Sequence, residues 1–285
     1  YTLTVSVAPA LEIINFSPQD ICSGETFNYT IEVSNPDPSI VYRWTRNPVT
    51  GISPLGTTVN AATINETLIN STGSVVPVTY ILEATLNGCT TSEELVVNVQ
   101  PEVSVSSAST IEVCSGEAFT HNLTSSTSGV TYEWRTNYSG VTPVSSTTSG
   151  TTSSISNEFT HNLDYSVTVP YIVTPYYNGC AGVPQSLSIV VTPQPRLLNS
   201  TIPAEICSGS VFNFTPRSNL PTNISWTFSW SRASIPGINS GLSTNGSGNI
   251  DETLINTGTV STLVTYEYKL TTANSCEETG VVQVW

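Results

Sequence analysis

The segment ICSGETFNYT (residues 21–30) returns with small changes as VCSGEAFTHN (residues 113–122) and as ICSGSVFNFT (residues 206–215). Each copy places Cys-Ser-Gly ahead of a phenylalanine. The leading cysteines Cys22, Cys114 and Cys207 are 92 and 93 residues apart. A motif that recurs at a nearly constant spacing of this length is typical of tandem modules, so the sequence predicts three copies of one unit.

A second set of landmarks keeps the same period. Cys89, Cys180 and Cys276 follow the leading cysteines by 67, 66 and 69 residues. Between them recur YRW, YEW and FSW, then VTY, VPY and VTY, and finally NGC, NGC and NSC. Prolines stand near residues 9, 101 and 193, where short stiff linkers are expected. We therefore predict the closing strand of a preceding repeat at 1–8 and three repeats at 9–100, 101–193 and 194–285.

Alternation of apolar and polar residues dominates each unit, and no long helical stripe occurs. In the first unit Phe27, Tyr29, Ile31 and Val33 share one face. About seven short strands per unit predict an all-β chain, a tandem array of three immunoglobulin-like antiparallel β-sandwiches. The expected core aromatics are Phe27, Trp44, Phe119, Trp134, Phe212 and Trp230.

Two cysteines per period predict one disulfide per unit. Several connectivities satisfy the count, but only pairing within each unit lets every unit fold alone. We therefore expect Cys22–Cys89, Cys114–Cys180 and Cys207–Cys276. On the chain-entropy account, closing a loop of roughly 68 residues stabilises a domain by about 4 kcal/mol. Paired cysteines also indicate an oxidising, extracellular compartment.

The charge balance excludes several partners. The net charge is −14, only seven residues are Lys or Arg, and charged residues make up 10% of the 285. A nucleic acid requires clustered basic side chains, and an anionic membrane surface would repel this chain. No apolar run reaches the length of a transmembrane helix, and no signal peptide opens the sequence. With no methionine present, we expect an internal piece of a longer protein.

The pattern [IV]-C-S-G-x-x-F, Y-x-W, V-[TP]-Y and N-[GS]-C resembles the PKD-like repeats of large secreted surface proteins of Bacteroidetes-type bacteria, including the SprB-like gliding-motility adhesin family. The resemblance covers all three units. It implies a secreted or cell-surface location, a long stalk or filament, and a role in cell adhesion. The implied partners are neighbouring repeats, surface glycans or other surface proteins.

Sites for metals, cofactors or catalysis find little support. His121 and His161 both stand in FTHN segments, but zinc needs three or four ligands. The acids Glu66, Glu158 and Glu252 recur at one aligned position, yet no loop offers the six to eight oxygens of calcium. No nucleophile elbow or phosphate loop occurs. We expect no metal, no cofactor and no enzymatic activity.

Exposed aromatic side chains indicate a second possible function, the binding of a ligand. Tyr138, Tyr176 and Tyr177 are predicted surface residues on which a sugar ring could stack. The repeats would then be glycan- or protein-binding modules, and they could also be non-catalytic modules of a secreted polysaccharide-degrading enzyme. Our first hypothesis is a structural stalk built from disulfide-bonded sandwiches, and the binding modules and the enzyme-associated modules are the alternatives to it.

Overall fold

A computed structural model describes residues 1, 3, 10–200, 205–240 and 244–285. Its described residues form strands and turns without a helix, so they include no helix able to cross a membrane. The chain is all-β, with three immunoglobulin-like sandwiches in tandem, as the alternation predicted. The predicted closing strand at 1–8 lies outside the described residues, apart from Tyr1 and Leu3.

Repeat 1 packs a five-stranded sheet, in the order β2-β11-β10-β5-β7, against three short strand pairs, β1-β4, β3-β8 and β6-β9. The short strand β2 runs parallel to β11, and the other pairings are antiparallel. Its strands are β1 (Ile13–Ile14), β2 (Gln19–Ile21), β3 (Thr26–Thr30), β4 (Glu32–Val33), β5 (Val41–Arg46), β6 (Ile52–Ser53), β7 (Thr57–Val59), β8 (Thr63–Thr67), β9 (Ile69–Asn70), β10 (Val76–Leu86) and β11 (Cys89–Val99).

Repeat 2 repeats this plan with a sheet in the order β12-β20-β18-β14-β16, to which β19 adds, and an opposing sheet β13-β17-β15. The parallel strand is now β12, which pairs with β20. Its strands are β12 (Thr110–Cys114), β13 (Ala118–Asn122), β14 (Thr131–Thr136), β15 (Thr142–Pro143), β16 (Ser149–Gly150), β17 (Ser154–Thr160), β18 (Val167–Tyr177), β19 (Cys180–Ala181) and β20 (Gln185–Thr192).

Repeat 3 pairs a sheet in the order β24-β22-β26-β27 with a sheet β21-β25-β23. Its strands are β21 (Val211–Phe214), β22 (Trp226–Arg232), β23 (Ile238–Ser240), β24 (Asn245–Ser247), β25 (Ile250–Asn256), β26 (Val264–Thr272) and β27 (Glu277–Val284).

Each repeat encloses its own hydrophobic core between its two layers. Successive side chains of a strand point to opposite faces. In β10 this buries Val78, Tyr80, Leu82 and Ala84 completely, while the residues between them reach the surface. Of the predicted core aromatics, Phe27, Trp44 and Phe212 are buried, and Phe119, Trp134 and Trp230 pack half-buried against the cores.

The long hairpin gives every repeat two distinct ends. We call the hairpin pole the end formed by the hairpin tip, which is residues 87–89, 178–180 or 274–276. The exit pole is the opposite end, where the last strand finishes beside the Cys-Ser-Gly turn. In repeat 1, the pairing of Ile21 with Val99 places that turn at the exit pole.

Candidate functional site

The first junction joins the exit pole of repeat 1 to the hairpin pole of repeat 2. A disulfide links Cys22 to Cys180, with Cα atoms 5.4 Å apart, which is ordinary disulfide geometry. Beside it, the Asn178 side-chain amide donates a hydrogen bond of 3.1 Å to Oε1 of Gln100, a buried residue that follows the last strand of repeat 1. The covalent bond and the hydrogen bond therefore clamp the same two ends.

The second junction reproduces this arrangement one period later. Cys114 is bonded to Cys276, with Cα atoms 5.6 Å apart. The Asn274 amide donates a hydrogen bond of 3.2 Å to the Thr192 hydroxyl, and Thr192 has the position that Gln100 has in repeat 1. A further hydrogen bond of 2.6 Å runs from the Gln194 amide to the Glu277 carbonyl. The junction is thus a repeated feature of the array.

The predicted pairing of cysteines within each repeat is wrong. Cys22 lies beside Val99 at the exit pole, whereas Cys89 begins the same last strand at the hairpin pole. Ten residue steps along a strand separate two Cα atoms by about 33 Å, far beyond the reach of a disulfide. The same reasoning applies to Cys114 with Cys180 and to Cys207 with Cys276. The partner of Cys22, and likewise of Cys114, is the hairpin cysteine of the next repeat.

Pairing between neighbouring repeats leaves two cysteines without a disulfide partner. They are Cys89, on the hairpin tip of repeat 1, and Cys207, in the exit-pole turn of repeat 3. Both are free thiols and both are exposed. By contrast, Cys180 and Cys276, which stand at the position of Cys89, are buried. The structure therefore contains two disulfides, not the three that the sequence predicted.

The linker after repeat 1 also packs against the hairpin region of repeat 2. Val103 is buried, and its carbonyl oxygen lies so close to Gly182 that a Cβ on that glycine would stand 2.0 Å from it. Real Cβ atoms do not approach an oxygen that closely. Only glycine at 182 therefore permits this close approach between linker and hairpin.

A buried ion pair stabilises the interior of repeat 1. The Arg46 side chain is fully buried, and its guanidinium donates hydrogen bonds of 2.9 and 3.0 Å to the two carboxylate oxygens of Glu66. The Tyr80 hydroxyl donates a further hydrogen bond of 2.7 Å to that carboxylate. Burial alone lowers the pKa of Arg46, but the contacts with Glu66 outweigh it and raise that pKa. Burial and the bond to Glu66 raise the pKa of Tyr80.

Repeat 3 contains the same network in Arg232, Glu252 and Tyr266. The hydrogen bond to Glu252 raises the pKa of Arg232, and burial raises the pKa of Tyr266. We predicted neither arginine as a core residue. The available signal was an arginine two residues after the Y-x-W or F-x-W tryptophan in a chain with only seven basic residues.

Repeat 2 replaces this ion pair with a neutral network. The aligned position of Glu66 and Glu252 is Asn157, not Glu158, because Asn157 pairs with Phe119 as Glu66 pairs with Phe27. The Asn157 amide accepts a hydrogen bond from the backbone of Ser145 and donates one back to it. The prediction of one recurring acid is thus wrong for Glu158.

Both histidines are in repeat 2, one of them within a strand of its smaller sheet. His121 pairs with Ile155 as Tyr29 pairs with Ile64 in repeat 1. His161 directly follows the end of β17. Its backbone N–H donates to the Ser115 hydroxyl, a bond made elsewhere by Asn70 and Asn256. Within the described ranges, no cluster of three or more metal-ligating side chains occurs.

The three predicted surface tyrosines differ in their surroundings. The Tyr138 ring packs 5.6 Å from that of Phe159 in the core, and its hydroxyl donates to the Thr147 carbonyl. Tyr138 is therefore half-buried and packs against the core of repeat 2. Tyr176 and Tyr177 are half-buried at the end of β18. Tyr176 lines a surface groove of about 440 Å³, and its hydrogen bond with Glu133 raises its pKa.

Comparison with known families gives a clear match. The model of the PKD-like domain matches residues 19–103, 111–195 and 204–282. The chain belongs to the PKD-like domain family. The three matches follow the three sandwiches and together cover most of the chain. Repeated immunoglobulin-like PKD domains with disulfides are typical of extracellular structural or adhesion modules, and such domains are typically non-catalytic.

Solved structures of tandem immunoglobulin-like domains are similar to this chain over its length. An I-band fragment from titin has 14% identity and a TM-score of 0.43, and the match covers 98% of this chain and 99% of that one. Extracellular domains 3–5 of Drosophila OTK have 12% identity and a TM-score of 0.35, with 99% of both chains covered. No curated protein matches the sequence.

Proposed function

We propose that this chain is a stalk segment of a large bacterial cell-surface adhesin, in which each sandwich is held to the next by a disulfide. The observation that supports this most directly is the pair of equivalent bonds, Cys22–Cys180 and Cys114–Cys276. Protein disulfides persist in oxidising compartments, which fits a secreted or surface location. The partners in this proposal are neighbouring repeats and the surfaces that the whole adhesin reaches.

The mechanism is mechanical. Two domains joined by one flexible linker can swivel freely, whereas a second covalent connection restricts them to motion about a hinge. At each junction an asparagine hydrogen bond adds a third point of contact. Three contact points that are not in line fix the relative orientation of two bodies. We therefore expect bending and twisting between these repeats to be strongly restricted.

Small-angle X-ray scattering tests this proposal. A strand of 11 residues spans about 33 Å, so three repeats in line extend roughly 100 Å, with a radius of gyration of about 30 Å. A compact domain of this length would have a radius of gyration of about 19 Å. The expected result is a rod-like profile in the oxidised protein. A profile near the compact value would refute the proposal.

A matched pair of variants isolates the role of the junction bonds. Replacing the four bonded cysteines by serine should broaden the distance distribution, because each junction then bends more freely. Replacing Cys89 and Cys207 by serine should leave the profile unchanged, because neither forms a bond within the structure. Equal profiles for all three proteins would show that the disulfides do not stiffen the array.

The groove beside Tyr176 supports a second candidate function, the binding of a glycan by repeat 2. The half-exposed Tyr176 lines this groove, and an aromatic ring offers a face to a sugar. A glycan array should then show binding that is lost in Tyr176→Ala and kept in Tyr138→Phe, because Tyr138 does not line the groove. Absence of binding in the wild-type protein would eliminate this candidate.

A further inference from the structure

Cys89 and Cys207 hold the positions that form disulfides at both internal junctions. Cys89 is the hairpin cysteine of repeat 1, equivalent to Cys180, which is bonded to the preceding repeat. Cys207 is the Cys-Ser-Gly cysteine of repeat 3, equivalent to Cys114, which is bonded to the following repeat. We propose that each is a covalent docking site for a further repeat of the same kind. This deepens the proposed stalk function and rests on its junctions.

The free hairpin tip already has the backbone conformation of a docked one. Asn87 and Gly88 have φ angles of 52° and 84°, and the docked residues Asn178 and Gly179 have φ angles of 46° and 84°. All four residues therefore adopt the left-handed conformation, which asparagine and glycine tolerate best. Docking at Cys89 requires no rearrangement of the tip.

The free exit-pole turn is equally well formed. The Gly209 N–H donates a hydrogen bond of 2.8 Å to the Leu254 carbonyl, as Gly24 does to Leu68 at the first junction. Gly209 and Gly24 have φ angles of 84° and 81°. The turn that presents the cysteine thus has one conformation whether or not a partner is bound.

A cavity next to Cys207 provides room for the partner. It has a volume of about 270 Å³ and is lined by Cys207, Ile206, Leu254, Val264 and Trp285, among others. Trp285 is 46% exposed. A hairpin tip of the N-[GS]-C type placed there would cover apolar surface that is otherwise in contact with water, which favours association.

The chemistry is thiol–disulfide exchange with a disulfide oxidant such as glutathione disulfide. The Cys207 thiolate attacks the oxidant, forms a mixed disulfide and releases one glutathione thiolate. The Cys89 thiolate of the partner repeat then attacks the protein sulfur and releases the second glutathione. The two protein thiols are oxidised, and one glutathione disulfide is reduced to two glutathione thiols.

A second copy of this chain is the experimental probe, because every copy carries both poles. One variant, Cys89→Ser, retains only Cys207 as a free thiol, and the other, Cys207→Ser, retains only Cys89. The two are mixed at about 1 mM, near the effective concentration of sites on a short linker, in a buffer of oxidised and reduced glutathione. Mass spectrometry of non-reduced peptides then identifies the bonds between copies.

The proposal expects the mixed Cys89–Cys207 bond in about nine-tenths of the linked dimers, because the two poles align these thiols. Each variant alone serves as a control and should form few dimers. A statistical mixture, in which about half of the dimers carry the mixed bond, would overturn the proposal, as would the absence of linked dimers. Neither of these two results would alter the X-ray scattering of the single chain. The stalk proposal is therefore tested separately, by that scattering.

Discussion

The buried ion pair of repeat 1 should tolerate replacement only as a unit. The single substitution Arg46→Thr leaves the Glu66 carboxylate buried without its cation, and Glu66→Asn leaves the fully buried guanidinium without its anion. Removing one partner of a buried pair typically costs 3–5 kcal/mol. The double substitution installs the residues of repeat 2, where Thr136 and Asn157 occupy these positions.

We therefore expect each single variant to lose about 3–5 kcal/mol of the free energy of unfolding. The loss in the double variant should be smaller than the sum of the two single losses, by at least about 2 kcal/mol. Arg43→Thr is the control: Arg43 lies on the same strand, half-exposed beside Glu83. An exposed pair of this kind contributes less than about 1 kcal/mol. Hydrogen exchange measured by mass spectrometry resolves the stability of repeat 1 from that of its neighbours. Additive losses would refute this reasoning.

Three further outcomes follow from single contacts. Gly150→Ala should destabilise repeat 2 by about 1–3 kcal/mol in denaturant titration, because its Cβ would stand 2.5 Å from the Trp134 ring; wild-type stability would contradict this. Gly182→Ala should loosen the first junction through its clash with Val103, and dithiothreitol should then reduce that disulfide faster; an unchanged rate would contradict the close approach. Burial raises the pKa of Tyr268 to about 12, so repeat 3 should lose stability as the pH rises from about 10 to 12. Tyr268→Phe should weaken that loss, as followed by circular dichroism; an equal loss in both proteins would exclude this group.

The sandwich architecture could be predicted because it depends on local patterns. The alternation that buries Val78, Tyr80, Leu82 and Ala84 in β10 is visible in the sequence, and so is the period of the whole array. Each unit encloses enough apolar surface for a core of its own. Recurrence and parity together therefore indicated three similar folds.

The disulfide pairing could not be predicted from the period. Pairing Cys22 with Cys89 and pairing it with Cys180 both preserve the repeat, so spacing does not distinguish them. The deciding fact is the direction of β2, which runs parallel to the last strand and carries Cys22 to the exit pole. A strand of three residues gives too weak a pattern to reveal its partner, so the pole of that cysteine stayed hidden.

The aligned acid illustrates a second limit. Aligning the sequence INETLIN of repeat 1 with SNEFTHN of repeat 2 made Glu158 the equivalent of Glu66. The strand pairing shows that Asn157 is the equivalent residue. A shift of one residue moves a side chain to the other face of a sheet. The fully buried Phe159, which stands where Leu68 does in repeat 1, was the residue that could have fixed the register.

Cleavage of the first linker tests the central claim, that neighbouring repeats are joined by disulfides. A protease recognition site is inserted after the exposed Ala108, between β11 and β12, and the cleaved protein is run on gels with and without reductant. Bonds between repeats predict one band at 30.4 kDa without reductant and two fragments with it. Two fragments without reductant would contradict the account, because pairing within each repeat would leave the cleaved halves unconnected.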